Sequence, residues 1–373
     1  MATSFTRNCL RPLGPFEQYF WLSNQNSAKH FVIAAEIVGD ATVEAWVSAI
    51  AAAQRRHPLL RVAVEYGSDG QPCFRELANI SIPVRIVPED ESATWHVEMA
   101  KELATPILLT RAPLARITLL RMSGGSILLL SMHHSIADGL SSAFVIRDIL
   151  EALSGKPLQP LTLTDPQENL CSAVAGTSLP PSVPIHPPAT LLRRDAGGPA
   201  VQGLKLSKEL TMKLRSHARG VGATVHGALV AALTFAGRQL SPDWLTHPVR
   251  VMSPVDNRKL LGLGDQCALS IIFPAGAYAP DSEERLWDVA RVVKDDLTPA
   301  RTAEGLSTVF SGFRQLMSTS PNVAQIAAFD FRSVLVRVWC QISVPFLLRR
   351  ASAASNWSRY GDHPYLLALK ANR

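Results

Sequence analysis

The chain has 373 residues, 47% apolar and 18% charged, which is enough for two ordinary domains with sizeable cores and too apolar for a disordered chain. Its formal net charge of +6 sits in the stretch 332–373, where Arg332, Arg337, Arg349, Arg350, Arg359, Lys370 and Arg373 meet one acid, Asp362. The residues before it balance, so the chain lacks the basic face that phosphate recognition needs, and nucleic acid is not an expected partner.

Five cysteines (Cys9, Cys73, Cys171, Cys267, Cys340) are scattered without a C-x-x-C pair. That argues against a zinc ribbon or a disulfide framework and for a reducing compartment. The opening "MATSFTRNCLRPLGPFEQYF" has no apolar core of signal-peptide length, and no stretch long enough to span a membrane lacks a charge. A cytoplasmic location is the expectation.

In chain order, "HFVIAAEIV" is a β-rich run closed by Gly39-Asp40. "TVEAWVSAIAAAQRRHP" predicts a helix with Thr42 as N-cap, Pro58 as stop, and Val43, Trp46, Val47 and Ile50 on one face. "LLRVAVEYGSDGQPCFREL" predicts a hairpin turning at Gly67 to Gly70. "ARITLLRMSGGSILLLSMHHS" predicts two more strands joined at Ser123-Gly124-Gly125, the second apolar throughout as in a strand buried on both faces. "DGLSSAFVIRDILEALSG" has helical spacing, with Gly155 a fitting stop.

Residues 156–199 are rich in proline and weak in periodicity, which marks a crossover between two halves. A second α/β stretch follows. "GATVHGALVAALTFAGRQL" predicts a helix packed through small residues, "HPVRVMSPVDNR" a strand and turn, "DQCALSIIFPAG" another strand, and "SEERLWDVARVVKDDL" another helix. The divisions expected are 1–160, a Pro-rich linker 161–200, a second half 201–330, and an atypical basic tail 331–373.

The segment "LLLSMHHSIADGLSS" (128–142) carries the chemistry. Adjacent residues on an extended backbone project to opposite sides, so His133 and His134 cannot easily share a metal ion, and no metal is expected. A satisfied core histidine is the plain alternative for either. Opposite projection otherwise suggests one imidazole facing inward as a hydrogen-bonder and one facing a cleft as a base near neutral pH. Asp138 could lock the loop through an arginine, and Gly139 would permit close backbone approach. Ser135 has no G-x-S-x-G elbow around it, which disfavours a serine hydrolase. His57 before Pro58 and His226 in an apolar helix read as structural.

"HHSIADG" matches the HHxxxDG signature of the condensation-domain superfamily, whose fold resembles chloramphenicol acetyltransferase. Other segments agree in order: "RPLGPFEQYFWL", "RRHPLLRVAV", "GATVHGALVAAL" and "SPVDNR", spanning residues 11 to about 275. The chain is most similar to stand-alone polyketide-associated acyltransferases of the phthiocerol diolide mycocerosyl transferase type. The resemblance implies an α/β fold (an α+β sandwich) of two chloramphenicol-acetyltransferase-like halves in a V around a central channel. It implies an acyltransferase moving an acyl group from a thioester, on coenzyme A or an acyl carrier protein, to a hydroxyl in lipid or polyketide-type metabolism. Coenzyme A or the carrier thioester would be a co-substrate, with no bound cofactor. His134 would be catalytic, His133 structural, and Asp138 paired with Arg258, with Gly139 keeping the loop open. An amide-forming condensation enzyme and an inactive relative acting as a binding module are the alternatives.

The tail departs from the family. Strand-rich sequence is expected after about residue 328, but the chain turns arginine-rich, nearly acid-free and short. A reading-frame disruption near Asp330, leaving the second half incomplete, is the leading expectation; the alternative is a native amphipathic ending in which "VPFLLRR" packs as a short helix.

Overall fold

The computed structural model describes residues 9–90, 94–175, 199–240, 242–279, 285–326, 336–337 and 366–370. β1 (Cys9–Pro12) and α1 (Pro15–Asn24) lead into β2 (His30–Val38) and α2 (Val43–Arg56). Then come β3 (Val62–Tyr66), β4 (Pro72–Glu76), β5 (Val84–Val87) and α3 (Trp95–Ala104). β6 (Ala115–Met122), β7 (Gly125–His133) and α4 (Gly139–Leu153) complete this part.

β7 lies inside a four-stranded sheet of order β2-β7-β6-β5, antiparallel except for the parallel β5–β6 pair. Leu128 and Leu130 join Trp46 and Ile50 of α2 and Ile146 and Ile149 of α4 in one core. Leu129, between them, joins Met99 of α3 and Leu120 in another. A strand with a core on each face must be apolar at every step, which is why this run shows no alternation. Each buried leucine contributes about 1.5–3 kcal/mol.

The expected helix start at Thr42 is present, its Oγ1 accepting from Ala45 N at 3.2 Å. Its apolar stripe is narrower than expected. Trp46, Ala49, Ile50 and Ala53 are buried, but Val43 and Val47 are 39% and 47% exposed, being outside the face that meets α4. The hairpin turn falls at Gly67–Gly70, with Gly67 N donating to Gln71 O at 2.8 Å. At the β6–β7 turn, a Cβ on Gly125 would stand 2.4 Å from the Ile37 carbonyl oxygen, so only glycine lets β2 pair there.

The stretch read as a crossover carries a helix, α5 (Gln167–Ala175), before the chain passes outside the described residues at 176–198. β8 (Val201–Lys205), α6 (Lys208–Gly220), α7 (Val225–Leu240), α8 (Pro242–Thr246), β9 (Val249–Met252) and β10 (Val255–Asp256) follow. β11 (Ile271–Ile272), β12 (Ala275–Tyr278), α9 (Leu286–Asp296) and α10 (Ala303–Ser318) build the rest of a second core around Val230, Val251, Val289 and Phe310. β13 (Val336–Arg337) runs parallel to β9, and β14 (Leu366–Lys370) antiparallel to β8. Most of the basic tail, and with it the frame-disruption reading, lies outside the described residues.

The strand expected over "DQCALSIIFPAG" is a correction. Only Ile271–Ile272 and the following Ala275–Tyr278 are strand, and residues 265–270 are not. The backbone donors of this segment go to side chains of the first half instead. Cys267 N donates to His57 Nδ1 at 3.2 Å, Ala268 N to Ser141 Oγ at 3.2 Å, and Ser270 N to Asp138 Oδ2 at 2.8 Å.

Small residues do let α7 approach α9. A Cβ on Gly227 would fall 2.3 Å from the Ala290 carbonyl oxygen, a backbone atom that cannot swing away. Gly227→Val should therefore destabilise the protein by about 1–3 kcal/mol, read as a lower denaturant midpoint with an unchanged slope.

Candidate active site

The pair His133–His134 stands where β7 ends, and residues 134–138 form the loop into α4. The two rings do diverge. His133 is 0% exposed, and its Nδ1 accepts from Ser135 N at 3.0 Å and lies 2.9 Å from Ser135 Oγ. Accepting from a backbone N–H fixes Nδ1 as the unprotonated nitrogen. Burial first, then the charges of His30 and Lys29, push the ring down to about 3, so it stays neutral. Ser135 is itself fully buried beside His133.

His134 Nδ1 faces the Ala137 carbonyl oxygen at 3.3 Å, so Nδ1–H donates and Nε2 carries the lone pair of the neutral ring. The ring lies between Phe31 of β2 at 4.4 Å and Phe20 of α1 at 4.8 Å, both nearly parallel to it. Phe273 meets it edge-on at 6.2 Å. The expectation of an open cleft at His134 is corrected: the ring is 1% exposed. Aromatic side chains from α1 and from residue 273 close over the loop, and no local pattern in 128–142 could announce them.

Asp138 is the N-cap of α4 and is fully buried. Its Oδ1 accepts from Ser141 N at 2.7 Å and Ser141 Oγ at 3.0 Å, and its Oδ2 accepts from Ser270 N at 2.8 Å. Arg258 Nη2 donates to both oxygens, at 3.2 and 3.1 Å. The structure thus brings together Asp138 and Arg258, one from each half. Arg258 also donates to the carbonyls of Gln266 at 2.9 Å and Ala268 at 3.0 Å. Gly139 opens α4 with a φ outside the left-handed region, so its place there is an ordinary first-turn position.

A second layer went unread in the sequence. His57 Nε2 meets Asp148 Oδ2 at 2.9 Å while its Nδ1 accepts from Cys267 N. Burial lowers His57 despite Asp148, and Asp148 is held by Arg56 and Arg147 as well. The adjacent pairs Arg56-His57 and Arg147-Asp148 were the available signal. His226 Nε2 contacts Ser253 Oγ at 2.7 Å. Among the described residues no group of three His, Cys, Asp or Glu side chains could hold a metal ion, and no single helix is long and apolar enough to cross a membrane.

Two family models match the chain: the condensation domain over residues 14–166 and the phthiocerol/phthiodiolone dimycocerosyl transferase C-terminus over residues 195–301. The first half thus resembles the condensation domain and the second half the dimycocerosyl transferase C-terminus. The first model covers the loop with His133, His134 and Asp138; the second covers Arg258. Bacitracin synthase 3 of Bacillus licheniformis is 34% identical over 131 residues, which is 35% of this chain and 2% of that protein. Tyrocidine synthase 3 of Brevibacillus parabrevis is 33% identical over 121 residues, again 2% of its length. The chain therefore spans a small fraction of these curated relatives. The fold is similar to polyketide synthase associated protein 5 from Mycobacterium tuberculosis, with TM-score 0.56 and 21% identity over 83% of this chain and 75% of that one. It is similar also to the first condensation domain of the calcium-dependent antibiotic synthetase, with TM-score 0.61 and 19% identity over 96% of this chain and 84% of that one.

The wall over His134 is anchored from the crossover side. Glu168 Oε1 accepts from Phe16 N at 2.7 Å at the start of α1, and among the described residues Oε2 has no hydrogen-bond partner. Burial, then the charge of Glu17, push the Glu168 carboxyl up to about 7 against the pull of the Phe16 N–H and Arg314. A carboxyl raised on folding stabilises fully below its unfolded value near 4.5, and this is lost as pH rises through 7. Glu168→Gln should therefore melt above the wild type at pH 8, with the difference vanishing at pH 4.

Removing either member of the buried pair leaves its partner's charge uncompensated. Asp138→Ala and Arg258→Ala should each lower stability by about 3–5 kcal/mol. The double variant should lose less than the sum of the two, a coupling that chemical denaturation reads directly.

Proposed function

We propose that this chain transfers an acyl group from a thioester to a hydroxyl, with His134 as the base. The observation that supports it most is the tautomer of His134: Nδ1–H is committed to the Ala137 carbonyl oxygen, which leaves Nε2 as the basic nitrogen. Nε2 takes the hydroxyl proton as the oxygen attacks the thioester carbonyl. The tetrahedral intermediate then collapses, the carbon–sulfur bond breaks, and the imidazolium returns the proton to the departing thiolate. The faces of Phe20 and Phe31 on either side favour the imidazolium while it exists, an effect of about 0.5–2 kcal/mol.

His133 holds the loop from behind, and the Asp138–Arg258 pair sets the angle at which the loop meets the second half. The donor is coenzyme A or an acyl carrier protein, acting as co-substrate. The match to a dimycocerosyl transferase C-terminus supports a lipid or polyketide-type setting, in the cytoplasm, in preference to a peptide-synthetase module. An amine in place of the hydroxyl would follow the same proton path.

The enclosure of the His134 ring favours one other reading, an inactive relative that binds without turnover. A panel of acyl thioesters with mixed alcohols and amines, with products identified by mass spectrometry, separates the two. The wild type should form ester, and His134→Ala should lose about 10²–10⁴ in rate while keeping its circular dichroism spectrum. Equal product from both proteins removes the assignment.

A further inference from the structure

The aromatic rings around His134 are not equivalent. Phe31 sits on β2, opposite Met132 in the uninterrupted β2–β7 ladder, and belongs to the main core of the first half. It is a fixed wall. Phe20, on the other face of the imidazole, belongs to a separate small cluster with Phe16, Leu269 and Ile271. Around that cluster lie Tyr19, Phe273 and Phe313, each only half-buried. The rings pack edge-on, Phe16 to Phe20 at 5.2 Å and Phe16 to Phe313 at 4.4 Å. Burial thus falls off from His134 through Phe20 toward the half-buried rings, and this is the direction in which a ligand would come.

The backbone of α1 cannot simply withdraw. Its first turn is tied to α5 by Glu168, which accepts from Phe16 N, and to β1 by the pairing of Glu17 with Arg11. Access then falls to the side chain of Phe20, by rotation between staggered states. The space it vacates is bordered by the His134 ring, Phe16, Phe273, Leu269 and Ile271, with no acidic, lysine or arginine side chain among them. Such a slot accepts an apolar chain and rejects a charged or strongly hydrated group, whose desolvation nothing there would offset.

Building on the acyltransferase reading of His134, we propose that Phe20 is its specificity-determining gate. Its ring occupies the place that the apolar chain of the acyl donor takes beside the imidazole. A chain long enough to replace the ring's contacts holds the gate open, and an acetyl group is too short to do so.

The test reads the accessibility of one imidazole. Diethyl pyrocarbonate labels reachable neutral imidazoles, and peptide mass spectrometry separates His134 from His133. In the wild type His134 should label slowly. Because reactivity scales with the open fraction, Phe20→Ala should label at least about tenfold faster, with His133 unlabelled in both. Phe20→Leu, which keeps more of the packing, should fall between them, and circular dichroism with thermal melts confirms that each variant is folded. Octanoyl-N-acetylcysteamine should protect His134 in Phe20→Ala, and acetyl-N-acetylcysteamine should not. Wild-type labelling as fast as that of Phe20→Ala overturns the gate, and so does labelling that neither thioester slows or that both slow equally. Acyl transfer measured in parallel bears on the parent reading alone: the expected labelling without any transfer removes the acyltransferase assignment and leaves the gate standing.

Discussion

One buried carboxylate organises the centre of this protein. Asp138 is fully buried and draws donors from three sources: the first turn of its own helix, the guanidinium of Arg258, and the backbone of Ser270. A buried charge is tolerated only when such donors surround it, because its hydration has been lost. Two of the three lie in the other half of the chain, so the charge cannot be satisfied unless the halves meet in one register.

Much of the local structure follows from that demand. The segment 267–270 gives its N–H groups to His57, Ser141 and Asp138, and so leaves the sheet that its apolar sequence suggests. Arg258 also donates to the carbonyls of Gln266 and Ala268, so that 266–268 folds back around the guanidinium. His57, held by Asp148, extends the tie to the end of α2. The loop carrying His134 is thereby gripped at Asp138 on one side and at His133 on the other.

Enclosure bears on the proposed chemistry in a different way. An imidazole between two phenyl faces loses water but keeps a partner for its charged form, since the ring faces are electron-rich. Removing water also strengthens every remaining electrostatic interaction around the loop. In the proposed gate a side chain moves rather than α1, whose first turn is tied to α5 through Glu168.

The sequence alone determined what depends on neighbours along the chain. The all-apolar run before His133, the N-cap at Thr42, the glycine turns and the divergence of two adjacent histidines all follow from backbone periodicity and local sterics. The pairing of Asp138 with Arg258 could be expected from motif resemblance but not from periodicity, since 120 positions separate them. Only the tertiary structure decided that Val43 and Val47 face outward, that 265–270 is not a strand, and that Phe20 and Phe273 close over His134. Each of those outcomes depends on what a distant segment offers: a helix face, a buried acceptor, or a ring. A linear pattern records that a residue is apolar or can donate, but not which partner reaches it first.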